Sequence, residues 1–178
     1  THEALRKKSA ESLMNLNHDM IAYGGLAVGE PKEEMLKIVN YLDTIVAKNK
    51  PRYLMGVGTP ADIIQCISMG VDMFDCVLPT RNARNGQLFT YNGKVNILNS
   101  KYSNDLSVID EKNNFPISQN YSKAYLHHLF KTKEILGYRL ATQHNLAFYN
   151  NLIKDAIKTI SNGTFKKWSK AFLKNYND

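Results

Sequence analysis

The sequence predicts an α/β fold with parallel strands in its first part and a mostly helical region with one β-hairpin behind it. Three observations carry this expectation. Short apolar runs at 20–23, 52–57 and 73–78 alternate with helix-period segments, an order that calls for parallel strands joined by right-handed crossovers. After residue 80 the pattern changes: Gln87 to Tyr91 and Lys94 to Leu98 alternate around Asn92-Gly93, a hairpin signal, and long amphipathic runs follow. Charge changes at the same place. Residues 1–80 carry 8 Lys and Arg against 10 Asp and Glu, net −2, whereas residues 81–178 carry 15 against 6, net +9, for a total of +7. A polyanionic partner is therefore expected on the second part, where cations facing phosphates gain affinity by counterion release.

The elements follow in order. Residues 2–16 place Ala4, Leu5, Ala10, Leu13 and Met14 at helical spacing. Met20 to Tyr23 reads as a strand running into Gly24-Gly25, a pair that permits either a tight turn or a close backbone approach to a ligand. Pro31 to Lys48 reads as an amphipathic helix, with Pro31 in its first turn, Glu33 and Glu34 complementing its dipole, and Met35, Ile38, Val39, Leu42 and Ile45 on one face. The strand at 52–57 runs into Gly56-Val57-Gly58-Thr59-Pro60, where Thr59 is the expected helix cap and Pro60 the first helical position. Glycines ahead of a helix N-terminus are also a weak sign of phosphate binding.

Met73 to Leu78 reads as a short buried strand closed by Pro79, with one carboxylate, Asp75, inside the apolar run. An unpaired carboxylate is costly to bury, so this acid is expected to be paired, at the mouth of the strand, or chemically employed. Arg81 and Arg84 follow with Asn82, Asn85 and Gly86 in what reads as a loop suited to phosphate and base contacts. The three strands carry Gly25, Gly56 and Asp75 at their C-terminal ends, so these converge on one face. Residues 99–120 read as polar loop, 122–136 and about 142–161 as helices, and 164–174 as a basic helix packing on Phe165, Trp168, Phe172 and Leu173. His127 and His128 are adjacent on a helix and point apart, which suits packing and surface roles.

Cys66 and Cys76 sit in apolar stretches, as expected of reduced residues and not of a disulfide or metal pair. No apolar run approaches the ~18 residues of a membrane span, and the N-terminus lacks an apolar signal core. A cytoplasmic location away from the membrane is expected.

Phe74-Asp75-Cys76-Val77-Leu78-Pro79-Thr80-Arg81, followed by Arg84-Asn85-Gly86, resembles the signature of the bacterial tRNA-guanine transglycosylases. The likeness extends to Gly24-Gly25-Leu26-Ala27-Val28-Gly29-Glu30, Tyr53-Leu54-Met55-Gly56-Val57-Gly58-Thr59-Pro60, Asn96-Ile97-Leu98-Asn99 and Tyr121 to Leu129, all in one order. The family exchanges a guanine in tRNA for a deazaguanine base. The resemblance implies the C-terminal part of a TIM-type (β/α)8 barrel, since a whole barrel needs about 250 residues, with an inserted hairpin and helical subdomain. The expected division is 1–80, 81–163 and 164–178.

By the same resemblance Asp75 is the nucleophile. Gly25, Leu26 and Ala27 line the pocket of the exchanged base, Met55 stacks on it, and Val28 limits the room beside it. Glu30 matches an acid behind this loop that stabilises an alternative peptide orientation. RNA is contacted by Gly56, Val57, Gly58, Thr59, Pro60, Ala61 and Asp62 and by Thr80, Arg81, Asn82, Ala83 and Arg84. Expected partners are tRNA, a deazaguanine base, a missing N-terminal half-barrel carrying a second catalytic carboxylate, and a second copy in a homodimer.

The resemblance fails at one place. The family holds a structural zinc with three cysteines spaced C-x-C-x-x-C and a later histidine, whereas the matching residues here are Asn113, Phe115, Ser118 and His144. One imidazole with Asn, Phe and Ser lacks the N/S tetrahedron that zinc requires, so no zinc is expected. Phe115, Pro116 and Ile117 offer an apolar cluster in its place. The rival expectation, from another class, is a non-catalytic RNA-binding or assembly subunit that kept the surface and lost the metal.

Overall fold

In the computed structural model residues 2–176 are described, and the chain divides into two compact units, 1–76 and 77–178. The first holds α1 (Glu3–Asn15), β1 (Ile21–Tyr23), α2 (Lys32–Asp43), β2 (Arg52–Leu54), α3 (Pro60–Ser68) and β3 (Met73–Phe74). Its three strands form one parallel sheet in the order β1-β2-β3, with Tyr23 opposite Leu54 and Leu54 opposite Phe74. The α/β class and parallel order are those expected from the alternating pattern.

Burial follows the sequence periodicity. Met35, Ile38, Val39 and Leu42 turn the inner face of α2 onto Ile21, Tyr23, Leu54, Val57 and Cys66. At the N-terminal edge of the sheet the Arg52 guanidinium, almost fully buried, pairs with Asp43 Oδ1 at 2.5 Å and donates to Gly70 O at 2.9 Å. The Arg52 backbone N–H donates to Asp72 Oδ2 at 2.9 Å. The end of α2 and the turn before β3 are thereby fastened to β2 by a buried, paired cation.

The second unit holds α4 (Leu78–Arg84), β4 (Gln87–Thr90), β5 (Gly93–Asn96), a single 3-10 turn (Ser100–Tyr102), α5 (Pro116–Asn120), α6 (Lys123–Lys131), α7 (Ile135–Ser161) and α8 (Phe165–Asn175). β4 and β5 pair antiparallel, Thr90 opposite Gly93, with the turn at Tyr91-Asn92. Leu88, Ile97, Ile109, Leu126, Leu140 and Ala141 are buried together as its core. A row of rings, Phe165, Trp168, Phe172 and Tyr176, stacks along α8 and continues onto Phe148 of α7, so the aromatic face of the last helix packs as its periodicity predicts.

Three local expectations are corrected. The run from Met73 to Leu78 is not one strand: β3 ends at Phe74, and Pro79 sits in the first turn of α4, where its missing N–H costs nothing. Arg81 and Arg84 are accordingly helical residues and not loop residues. The helix expected from 122 stops at Lys131, because Lys133 takes a left-handed φ of +57°, and α7 begins at Ile135, seven residues before its expected start. Gly137 permits that corner: a Cβ there would stand 3.0 Å from Leu129 Cβ.

Candidate active site

The register of the parallel sheet builds the site. With Tyr23, Leu54 and Phe74 side by side, the residues that leave the three strands are Gly24, Met55 and Asp75, at the C-terminal edge. This is the edge where α/β proteins place their chemistry. Gly24 lies beside Met55: a Cβ on it would sit 3.5 Å from the Met55 sulfur. Met55 itself is 45% exposed, so it is a rim residue and not core.

Asp75 is exposed, in contrast to the buried apolar setting read from its neighbours. It is held all the same. The Tyr53 hydroxyl donates to its Oδ1 at 2.7 Å and the Gly56 N–H donates to the same oxygen at 2.9 Å. Gly56 takes a φ of +75°, the left-handed region open to glycine at little cost. The Gly56 N–H, then the Tyr53 hydroxyl, hold the Asp75 carboxyl below the usual carboxylate range, and the same bond raises the Tyr53 phenol. Both donors fall on Oδ1, and Oδ2 takes neither. The arrangement is an ionised carboxylate fixed by one oxygen with the other presented.

The loop after β1 is organised from both sides. Glu30 accepts from the Ala27 N–H at 2.5 Å and from the Val28 N–H at 3.1 Å. Burial alone would raise the Glu30 carboxyl, but its own N–H with those of Ala27 and Val28 outweighs this and lowers it. Ala27 is left-handed at φ +57°, unfavourable for an L side chain, and the carboxylate holds it there. Leu26 as a whole is buried at 2% exposure, whereas Gly25 and Ala27 on either side of it are exposed. On the other side Arg6 of α1 donates to Gly24 O and Gly25 O at 2.6 and 2.7 Å.

Thr59 caps α3 as expected. The Thr59 Oγ1 accepts from the Asp62 N–H at 3.2 Å, and Asp62 Oδ2 accepts from the Thr59 hydroxyl at 2.8 Å. Asp62 Oδ1 pairs with Lys32 Nζ at 2.6 Å, so this side chain is committed to the cap and to α2. Pro60, Ala61 and Val57 are buried. Gly58 follows Val57 through a cis peptide bond.

In the second unit Thr80, Arg81, Asn82, Ala83 and Arg84 lie on α4, with both arginines exposed and Ala83 fully buried. α4 is anchored by a residue the sequence did not single out. Asn145, fully buried on α7, donates to Pro79 O at 2.9 Å and Gln87 O at 3.0 Å and accepts from the Phe89 N–H at 2.9 Å.

The four positions that would carry a metal form a different network. The His144 Nε2–H donates to Phe89 O at 2.9 Å, which leaves Nδ1 to accept from the Ser118 hydroxyl at 2.8 Å. Burial pushes the imidazole down to about 4, against the bond to Phe89. Asn113 Oδ1, fully buried, accepts from Asn151 Nδ2 at 2.9 Å. Around these polar contacts the expected apolar cluster is only partly formed: Ile117 packs against the core of the unit and Phe115 is half-buried, but Pro116 is exposed. A hydroxyl, an amide and a phenyl ring do not make a zinc donor set with one imidazole whose lone pair is already used.

The chain thus joins a parallel α/β unit that holds a carboxylate at its strand ends to a following helical unit of net positive charge. All of residues 1–178 match the family model described as queuine tRNA-ribosyltransferase, and the chain belongs to that family. The queuine tRNA-ribosyltransferase of Francisella tularensis subsp. novicida (strain U112) is 51% identical over 175 residues, which covers 98% of this chain and 48% of that protein. Those of subsp. mediasiatica (strain FSC147) and subsp. tularensis (strain WY96-3418) are each 50% identical with the same coverage. The chain spans about half the length of the curated relatives it matches.

Proposed function

We propose that the protein belongs to an enzyme that exchanges guanine at the tRNA anticodon wobble position for a 7-deazaguanine base in queuosine biosynthesis, with Asp75 as nucleophile. The supporting observation is the exposed Asp75 carboxylate, held ionised by Tyr53 and Gly56 at the C-terminal edge of the sheet. Oδ2 attacks ribose C1′, the bond from C1′ to guanine N9 breaks, and the departing purine takes up a proton from an acid in the other half of the enzyme. N9 of the incoming base then attacks C1′, the Asp75 ester bond breaks, and the N9 proton is lost. Two displacements retain the configuration at C1′. The target nucleotide must leave the base stack to reach this edge.

The main chain of Gly25, Leu26 and Ala27 receives the base and Met55 stacks on it. Val28, 79% exposed beside them, favours the smaller pre-queuosine base over queuine. RNA is contacted by Gly56 to Asp62, the loop ahead of α3 and its first turn, and by Thr80 to Arg84 on α4. In this reading the enzyme is cytoplasmic; among the described residues no helix is long and apolar enough to cross a membrane.

The same proposal makes this family member zinc-free, with the Ser118, His144 and Phe89 bonds and the Asn113 to Asn151 bond doing the fastening that a metal does elsewhere. Metal analysis of the purified protein tests it, and stoichiometric zinc would refute it. A homodimer formed without a zinc-braced surface is part of the reading.

The test of the function is exchange of labelled guanine into tRNA by the enzyme at its relatives' full length, wild type against Asp75→Asn. Loss of exchange by at least about 10³-fold is expected; retention of the wild-type rate would refute Asp75 as the nucleophile, and absence of exchange in the wild type would leave only a non-catalytic, tRNA-holding role.

A further inference from the structure

We propose that Arg6 is a positioning residue for the base pocket: by clamping two consecutive carbonyls it turns the next two backbone N–H groups away from α1 and so aims the N–H of the exposed Gly25 at the incoming or departing base. The inference rests on the reading that the loop after β1 receives that base. The Arg6 Nη1 donates to Gly24 O at 2.6 Å and Nη2 to Gly25 O at 2.7 Å, so the planar fork takes both carbonyls at once. In a trans peptide the C=O and the following N–H point in opposite directions. The peptides that join Gly24 to Gly25 and Gly25 to Leu26 are trans. With Gly24 O and Gly25 O both drawn toward α1, the N–H groups of Gly25 and Leu26 must point away from it.

Gly25 adopts φ +63°, and a left-handed residue between successive amides gives the concave N–H pair that binds an anionic or carbonyl oxygen. The ligand chemistry is thus a base edge bearing a carbonyl oxygen. A Cβ at Gly25 would only touch Arg6 Nη2, at 3.5 Å, so it is the left-handed φ that calls for glycine there. Glu30 fixes the far end of the same loop through Ala27 and Val28, so Arg6 and Glu30 divide the work: Arg6 orients the first two amides and Glu30 the next two. A lysine in place of Arg6 would bring one point charge and could not span both carbonyls in one plane.

The experiment compares wild type, Arg6→Met and Arg6→Lys at the enzyme's full length, measuring kcat and separate KM values for guanine and for tRNA. Arg6→Met is expected to raise KM for guanine about 10-fold, one hydrogen bond's worth, with KM for tRNA unchanged. Arg6→Lys is expected to fall between. A guanine KM equal to wild type in either variant overturns the inference, as does an equal rise in both KM values, the mark of general damage to α1. Should Arg6→Met fail to fold, Arg6→Lys carries the same test. Asp75→Asn is the separate arm: exchange that survives it refutes the chemistry proposed above while leaving the Arg6 effect on guanine to be read on its own. A wild-type enzyme with no measurable guanine exchange overturns both together.

Discussion

Replacing Asn145 tests whether one side chain holds the arginine-bearing helix in place. Its amide serves three backbone groups, Pro79 O, Gln87 O and the Phe89 N–H, at 2.9 to 3.0 Å. In Asn145→Leu all three lose their partner while the shape is nearly kept. A buried backbone group left without a hydrogen bond costs about 1–3 kcal/mol, so three cost about 3–5 kcal/mol at the lower end of that range. This is a large share of the ~5–15 kcal/mol that stabilises a domain. Trp168 is the sole tryptophan and lies on α8, so its fluorescence during urea unfolding reports on the second unit. With a slope of ~2 kcal/mol per M, the midpoint should fall by about 1.5–2.5 M. A fall below about 0.5 M at unchanged slope would refute the assignment of Asn145 as the anchor of α4.

Other consequences are open to simpler measurements. Tyr53→Phe removes one of the two donors that lower Asp75, so the acid limb of the exchange reaction should move to higher pH; an unmoved limb would show that the hydroxyl does not tune the carboxylate. Arg81→Ala and Arg84→Ala should weaken tRNA binding and flatten the dependence of log K on log salt by about 0.7 per arginine removed, which titration at several salt concentrations reads directly. Thr59→Ala removes the cap of α3 and should cost the first unit about 1 kcal/mol, seen by thermal or urea unfolding.

Much of this molecule is written locally in its sequence. The parallel order came from alternating apolar runs, the hairpin from Asn92-Gly93, and the cap of α3 from Thr59-Pro60, because each depends on residues a few positions apart. The sequence singled out Asp75, but the bonds that hold it, from Tyr53 and Gly56, were not legible. The apolar run around it fits a strand or the start of a helix equally well, and Pro79, taken as a strand stop, instead opens α4.

What stayed hidden are the contacts that set the geometry. Tyr53 and Gly56 reach Asp75 from about twenty residues away, Arg6 reaches Gly24 and Gly25 across a similar span, and Asn145 reaches back more than fifty to Phe89. No periodicity announces such bonds. The bond between Ser118 and His144 was equally hidden, because it needed a fold to bring α5 and α7 together.

The most direct test of the central assignment is to incubate the full-length enzyme with tRNA, resolve it on a denaturing gel and map the modified peptide by mass spectrometry. A covalent adduct between ribose and Asp75, lost in Asp75→Asn, is the result this structure predicts. Brisk guanine exchange with no adduct, or an adduct on another side chain, would contradict it.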